Sequence, residues 1–311
     1  MSDNRMSLST PLVFFIFRRV QTTRQVFEVI AQAKPTHLLI IADGPRNSNE
    51  ALQCAETRAI VEHIDWDCDV KRNYSETNLG LKQRFDSGLD WVFQQVEEAI
   101  ILEDDCLPDP SFFGFCQEML AFYRDEPRVM HISGDYFHAP FSIRESYYFS
   151  RYPHIWGWAT WRRAWLNYDS DLNGWALEST QKDFLEQFPN PAERRFWKHT
   201  FDAVRAGTIN MWDYQWVFAC IANDGLSINP RVNLISNIGF GDEATHTKTV
   251  DRRVANLETQ KLPFPITHPK ALLPNKYLDA KTVKLFFSEP SRLRRMLSRI
   301  RTMIRSIVIN S

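Results

Sequence analysis

Ala99-Ile100-Ile101-Leu102-Glu103-Asp104-Asp105-Cys106-Leu107-Pro108 is the stretch on which the reading of this chain turns. An apolar run of strand character enters three consecutive carboxylates and ends at a proline. Acid packed that densely at the end of a buried strand is costly unless a cation shares the charge. Side chains alternate along a strand, so extended geometry through the triplet puts Glu103 and Asp105 on one side and Asp104 on the other. Two carboxylates on one side suit a hard divalent cation, Mn2+ or Mg2+, which keeps positions open for water and for phosphate oxygens. The run is therefore expected to hold a metal–diphosphate site. The competing reading is a solvated acidic turn after an edge strand.

Upstream of the triplet, strands and helices alternate. Residues 12–17, 36–42, 68–73 and 98–102 read as strands, and 22–33, 50–64 and 81–97 as helices. A helix over 111–123 and a strand over 128–132 follow. Strands separated by helices of this length predict βαβ units and an α/β fold with a mostly parallel central sheet flanked by helices. Ligands of such sheets collect beyond the carboxyl ends of the strands. Asp43-Gly44, residues 73–80 and the triplet all fall there, which favours the site over the bland turn. The second half is less regular, with helices expected over 181–187, 191–205 and 213–223 and short strands at 226–228 and 232–235.

The chain of 311 residues has 44% hydrophobic and 24% charged residues, ordinary for a globular protein, and a net charge of −1. No general attraction to nucleic acid follows. Twenty-two Phe, 10 Trp and 9 Tyr are a heavy aromatic load, mostly core, although indole rings also suit the C–H faces of sugars. The cysteines, Cys54, Cys68, Cys106, Cys116 and Cys220, are odd in number and show no C-x-x-C pair, so a reducing compartment is expected. No apolar run is long enough to span a bilayer and the first ten residues lack a signal-peptide core, so the body is expected in the cytoplasm.

Residues 262–274 carry four prolines, Pro263, Pro265, Pro269 and Pro274, and read as a strap leaving the domain. Beyond it, residues 291–309 hold six arginines and no acid, with Leu293, Met296, Leu297, Ile300 and Ile304 on one stripe. A basic amphipathic helix fits an anionic membrane surface on the inner face; the alternative is a helix docked on the protein's own body. The expected organisation is a catalytic domain over 1–260, a strap over 261–290 and the basic helix over 291–311.

The triplet, Trp156-Gly157-Trp158 and Trp212-Asp213-Tyr214-Gln215-Trp216, in that order, resemble glycosyltransferases of the GT-A fold. The inverting N-acetylglucosaminyltransferase I type and related bacterial sugar transferases are the likeness, over roughly 11–247. The resemblance implies a nucleotide-diphospho-sugar donor, probed first as a UDP-sugar, and a Mn2+ or Mg2+ cofactor. It places Asp105 on the metal, with Glu103 and Asp104 at the ribose and the metal's shell. Arg18 and Arg19 fall on the loop that meets the nucleotide, where a guanidinium suits phosphate or base. Asp43 is implied at the nucleobase edge, and Asn78-Leu79-Gly80 at a turn letting the backbone approach the nucleotide. Trp156, Gly157 and Trp158 would lie near donor sugar and acceptor, and Asp213 would be the catalytic base.

On chemistry alone, Gly239 to His246 suits a lid over a diphosphate, with His246 reaching metal or phosphate; an unremarkable surface loop is the alternative. Asp135, closing a strand on the same edge, is a further candidate for sugar or acceptor. Asp213 also suits a plain helix N-terminus, and Trp212 with Trp216, four apart, suits core packing as well as an acceptor platform. His131 reads as a core histidine. The function expected is sugar transfer to a glycan or lipid-linked hydroxyl in surface-glycan synthesis. Alternatives are a sugar-phosphate nucleotidyltransferase, disfavoured by the absence of glycine in Phe17-Arg18-Arg19-Val20-Gln21, and a non-catalytic carbohydrate- or nucleotide-binding protein.

Overall fold

Strands that are apolar on both sides have no face to give to water, and the sheet is built around them. β1 (Leu12–Ile16) is buried at every position. The computed structural model describes residues 8–240 and 254–287. In it β1 is followed by α1 (Val20–Ala33), β2 (His37–Ala42), α2 (Ser48–Ile60), β3 (Asp69–Tyr74), α3 (Leu81–Gln95) and β4 (Glu98–Glu103). Then come β5 (Cys106–Pro108), α4 (Ser111–Phe122), β6 (Val129–Ser133), β7 (Tyr147–Ser150), β8 (Trp158–Trp161) and α5 (Arg162–Trp165). The chain continues through α6 (Glu178–Glu186), α7 (Pro191–Arg205), α8 (Asp213–Ala222), β9 (Leu226–Pro230), β10 (Ile235–Asn237) and α9 (Lys276–Thr282).

Eight strands form one sheet in the order β3-β2-β1-β4-β8-β6-β9-β7, and β5 pairs with β10 in a two-stranded ribbon. The expected α/β class is what the structure has. Its parallel block, β3-β2-β1-β4, is the βαβ half read from the sequence. β8 then runs antiparallel between β4 and β6, and β7 closes the far edge antiparallel to β9.

Alternate residues of the parallel strands serve two cores. Leu12, Phe14 and Ile16 pack with Val26, Phe27 and Ile30 of α1 and with Phe112, Phe115 and Met119 of α4. Val13 and Phe15 pack on the other face with Phe85, Leu89 and Val92 of α3 and with Trp216 and Cys220 of α8. A third, aromatic cluster joins α6, α7 and the outer face of α8 through Phe184, Trp197, Phe201 and Phe218. Helix starts are marked by Asn47, whose side chain accepts from the Glu50 amide, and by Asn190 with Pro191 after it. All five cysteines are unpaired. No helix among the described residues is long and apolar enough to cross a membrane.

Several expectations change. The strand does not run through the acidic triplet: β4 stops at Glu103, and Asp104-Asp105 turn the chain into β5, so alternation ends before the two aspartates. The Tyr- and Trp-rich stretch holds strands β7 and β8, whose aromatic side chains hid the strand pattern. The strand expected at 232–235 lies at Ile235–Asn237, where it pairs with the ribbon. Residues 262–274 run back over the domain rather than away from it. The Leu262 amide donates to Ser111 Oγ at 2.9 Å, the Thr267 amide to Ser146 Oγ at 2.9 Å, and the Asn275 amide to the Phe149 carbonyl at 2.7 Å. The basic helix expected over 291–311 lies outside the described residues.

Ile235 anchors the ribbon by wedging against two glycines. A Cβ on Gly134 would sit 2.4 Å from Ile235 Cγ1, and one on Gly157 2.4 Å from its Cδ1. Gly134→Ala should therefore lower stability by about 1–3 kcal/mol, the scale of overpacking a tight core. In an Ile235→Ala background the same change should cost clearly less. Thermal melts of the four proteins check this; equal penalties in both backgrounds would refute the wedge.

Candidate active site

A cavity of about 390 Å3 opens beyond the carboxyl ends of β1, β2 and β4. Parallel strand ends leave their following loops there, and two helices point their N-termini at it. α1 begins after Arg19 and α3 after Gly80, neither with a side-chain cap. Uncapped N-terminal amides and the positive end of the helix dipole favour an anionic ligand.

The acidic triplet forms one wall, and Arg19 crosses it. β1 lies beside β4 with Phe15 opposite Glu103, so the chain leaving β1 passes next to the aspartates. The Phe17 amide donates to Asp104 Oδ2 at 3.1 Å. Arg19 Nη1 donates to Asp104 Oδ1 at 3.0 Å and also to Asp105 Oδ2. Burial would lower the Arg19 pKa, but Asp104, Asp105 and Glu103 outweigh it and the net shift is upward. Burial also pushes Asp104 up to about 6 against the pull of Arg19. Glu103 is pushed well above the usual carboxylate range, first by burial, then by Asp105 and Asp104, with Asp213 adding to the push. Asp213 is not among the cavity's lining residues; Trp212, beside it in the chain, is. The Asp213 pKa is raised by burial to about 6, and its Oδ1 accepts from the Tyr214 amide at 3.0 Å.

Aromatic and cationic groups line the cavity as well. The Arg46 guanidinium lies 5.8 Å from the centre of the Phe17 ring and pairs with Glu50. Arg84, in the first turn of α3, reaches Asn73 Oδ1 at 2.8 Å and lines the cavity. Trp156 and Phe240 meet edge to face at 5.7 Å on the acidic side.

Each residue singled out from the sequence has a definite place. Asp43 lines the cavity, but its carboxylate is committed to the adjoining turn. Oδ1 accepts from the Gly44 and Leu79 amides, both at 2.9 Å; Oδ2 accepts from Asn78 Nδ2 at 2.9 Å and the Gly80 amide at 3.0 Å. A nucleobase reaches Asp43 only in competition with these donors. Gly80 has φ +79, a left-handed conformation suited to glycine. Of the two arginines it is Arg19 that lines the cavity; Arg18 turns to Glu50 at 3.6 Å.

Trp156 is in the wall, whereas Gly157 makes a positive-φ turn whose carbonyl accepts from the Gly134 amide at 2.8 Å. Trp158 is core: it packs on His131, Trp212 and Trp216. Trp212 touches the cavity while stacked on Phe85 at 4.2 Å, with 1% of its surface exposed. Asp135 sits behind the wall, its Oδ2 accepting from the Trp156 amide at 3.1 Å, and burial holds its pKa well above the usual range. His131 is the expected core histidine. Trp216 Nε1 donates to its Nδ1 at 3.1 Å, so Nε2 donates to the His154 carbonyl at 2.8 Å. His246, with residues 241–245, lies outside the described residues.

Arg46, Arg84 and Asn237 were not singled out from the sequence. Arg84 sits one turn into α3, whose start was read correctly, so helix geometry carried a signal for it. Asn237 is brought beside the aspartates by the β5–β10 pairing, which the sequence pattern did not reveal. Gly239 packs so closely that a Cβ there would lie 2.1 Å from Asp105 Oδ2.

A Mn2+ or Mg2+ ion needs several oxygens converging at about 2.0–2.6 Å. Among the described residues no three His, Cys, Asp or Glu side chains form such a group. Both Asp104 oxygens take hydrogen bonds, and Asp105 Oδ2 is shared with Arg19. As arranged, these residues do not fit a divalent ion, and the positive charge among the aspartates is that of Arg19.

No protein-family model matches the sequence, and no curated protein does. Among solved structures, a UDP-glucose pyrophosphorylase complexed with UDP-glucose aligns over 71% of this chain and 90% of its own, at 10% identity and a TM-score of 0.36. The apo form of a UDP-glucose pyrophosphorylase aligns over 73% and 93%, also at 10% identity and 0.36. A 4-diphosphocytidyl-2C-methyl-D-erythritol synthase from Anaerococcus prevotii aligns over 64% and 82%, at 9% and 0.31. Likeness this distant carries no argument about activity.

Asp43→Ala should release the turn at 78–80 while leaving the sheet in place. Four donors lose their acceptor, a loss of about 2–4 kcal/mol on the scale of hydrogen bonds to a charged group. Hydrogen exchange should show the Leu79 and Gly80 amides deprotected ahead of those in β1 and β2. Unchanged protection would show that the turn holds without the carboxylate.

Proposed function

We propose that the protein is a glycosyltransferase moving a sugar from a nucleotide-diphosphate donor, a UDP-sugar, to a hydroxyl acceptor with inversion at the anomeric carbon. The observation that carries this reading is a cavity where Arg19 and two uncapped helix N-termini meet one acidic wall, with Asp213 next in the chain to the cavity-lining Trp212. The Phe17 ring and Arg46 offer a stacking face for the nucleobase. The Asp43-held turn sets the start of α3 toward the diphosphate. Trp156 and Phe240 form a wall suited to the donor sugar.

Asp213 is the proposed general base. The acceptor oxygen forms its bond to the anomeric carbon as the bond from that carbon to the β-phosphate oxygen breaks. The hydroxyl proton passes to Asp213, and the bonding pair leaves on UDP, whose charge Arg19 and the helix ends meet. A carboxyl of pKa about 6 is ionised at neutral pH yet still basic enough to take a proton. The six arginines over 291–309 support an acceptor at an anionic membrane surface, a glycan or lipid-linked hydroxyl in surface-glycan synthesis.

Incubation with a panel of nucleotide sugars and hydroxyl acceptors should release a nucleoside diphosphate. Release of pyrophosphate from a nucleoside triphosphate and a sugar 1-phosphate would instead identify a nucleotidyltransferase. Because the base form does the work, turnover should fall as pH drops through about 6 and stay level above it. Asp213→Asn should cut turnover by about 10²-fold or more and abolish that acid limb, with UDP affinity unchanged. Equal loss of binding and turnover would remove Asp213 from the base role.

A further inference from the structure

α9 divides its residues between two sides. Leu278, Asp279 and Thr282 are buried, whereas Lys276, Tyr277 and Ala280 are exposed, with Lys281 half-buried beside them. Asp279, the single acid between 261 and 287, faces inward, its Oδ1 accepting from Ser150 Oγ at 2.6 Å. The same stretch holds five lysines, so α9 shows solvent a cationic side. That side is also aromatic. Tyr277 is 56% exposed and meets Phe141, 37% exposed, at 5.1 Å, and Lys281 Nζ lies 5.1 Å from the centre of each ring. Leu273, just ahead of the helix, is 68% exposed.

Hydrogen bonds fix the loop leaving β6 against this helix. Tyr136 donates its hydroxyl to the Phe141 carbonyl, and His138 Nε2 lies 3.2 Å from Thr282 Oγ1. β6 runs parallel to β4, since both lie antiparallel to β8, so the loop leaves the sheet at the edge where the cavity opens. Its Phe137 meets Trp156 of the cavity wall, with 5.6 Å between ring centres. The sequence past this face adds six arginines and no acid over 291–309.

We infer that the outward side of α9, with Phe141, docks on an anionic lipid surface. The lysines require an anionic partner, and the exposed rings require one with an apolar layer beneath its charge. A bilayer offers both: aromatic rings sit at headgroup depth while lysines beside them reach the lipid phosphates. The contact sets the mouth of the cavity beside the membrane, where a lipid-linked hydroxyl is presented. This rests on the part of the preceding reading that puts the acceptor at a membrane, and not on the chemistry of transfer.

The full chain is sedimented with vesicles of phosphatidylcholine, alone or mixed with phosphatidylglycerol. Binding should be confined to the mixed vesicles and fall as salt is raised. Lys276→Gln with Lys281→Gln should weaken it about tenfold or more, the usual contribution of two cations near such a surface. Lys182→Gln with Lys198→Gln, the same charge lost from α6 and α7, should weaken it much less. Phe141→Ser with Tyr277→Ser, at unchanged charge, should weaken it several-fold. In the wild type, mixed vesicles should protect Lys276 and Lys281 from acetylation, read by peptide mass spectrometry, and leave Lys182 reactive. Binding unaffected by the α9 variants would leave the arginines over 291–309 as the whole contact and overturn this face. So would equal reactivity of Lys276 and Lys281 with and without vesicles, a result that decides the matter even if a variant fails to fold. Protection by polyglutamate but not by vesicles would make the partner an acidic protein and overturn the lipid. Release of nucleoside diphosphate with a water-soluble acceptor is read separately, so losing this face leaves the transfer reaction to its own assay.

Discussion

Three acids in a row at the end of a buried strand are tolerable only because Arg19 reaches two of them. The register of β1 against β4 makes that possible, setting Phe15 opposite Glu103 so that the next few residues of the first loop lie beside the aspartates. From there the backbone of Phe17 and the side chain of Arg19 both turn to Asp104. The same loop starts α1, so strand pairing, charge neutralisation and the direction of a helix dipole are fixed by a handful of residues. Moving that strand pair by one position would separate the acids from their cation and leave carboxylates buried without a partner, a multi-kcal/mol penalty on any scale.

A second carboxylate, Asp43, organises the neighbouring strand end by different means. It meets backbone amides rather than a cation, and through them sets the turn before α3. The two loops thus converge on the cavity with opposite chemistry. One presents a guanidinium lodged among acids, and the other presents a helix start held open by a carboxylate behind it. An anionic ligand between them meets positive potential from both sides, although the wall itself is acidic.

The parallel half of the fold was legible because its signal is local. Runs such as Leu38-Leu39-Ile40-Ile41 are too apolar to be anything but buried, and helices of the right length separate them. The triplet, Asp43, Asn78 and Gly80 were found for the same reason: each closes a strand or opens a helix. What stayed hidden was non-local. β5 and β10 are three residues each, and only their pairing brings Asn237 and Gly239 to Asp105. The strand was expected over 98–102 with extended geometry continuing through the triplet, whereas β4 ends at Glu103 and Asp104-Asp105 turn, and alternation gives no warning of that turn. In the Trp-rich segment the residue type suggested a sugar site, yet packing claimed Trp158 and Trp216 entirely. Trp156, beside a positive-φ glycine, is the member of its motif that reaches the cavity.

That division of the tryptophans follows from what the acidic edge costs. Glu103, Asp104, Asp135 and Asp213 all have carboxyls pushed upward by burial, which means the folded chain holds them at an energetic disadvantage when ionised. A domain of marginal net stability carries such groups only if apolar packing nearby offsets them. The stack running from Phe15 through Phe85 and Trp212 to Trp158 does this directly behind the cavity, with ring centroids 4.0, 4.2 and 5.6 Å apart. It also ties β1, α3, the start of α8 and β8 into one rigid block. The loop carrying Arg19 and the helix start carrying Asp213 are therefore mounted on the same aromatic column. Packing thus fixes the backbone from which Arg19 and Asp213 extend, while Arg19 itself is held by its hydrogen bonds to Asp104 and Asp105.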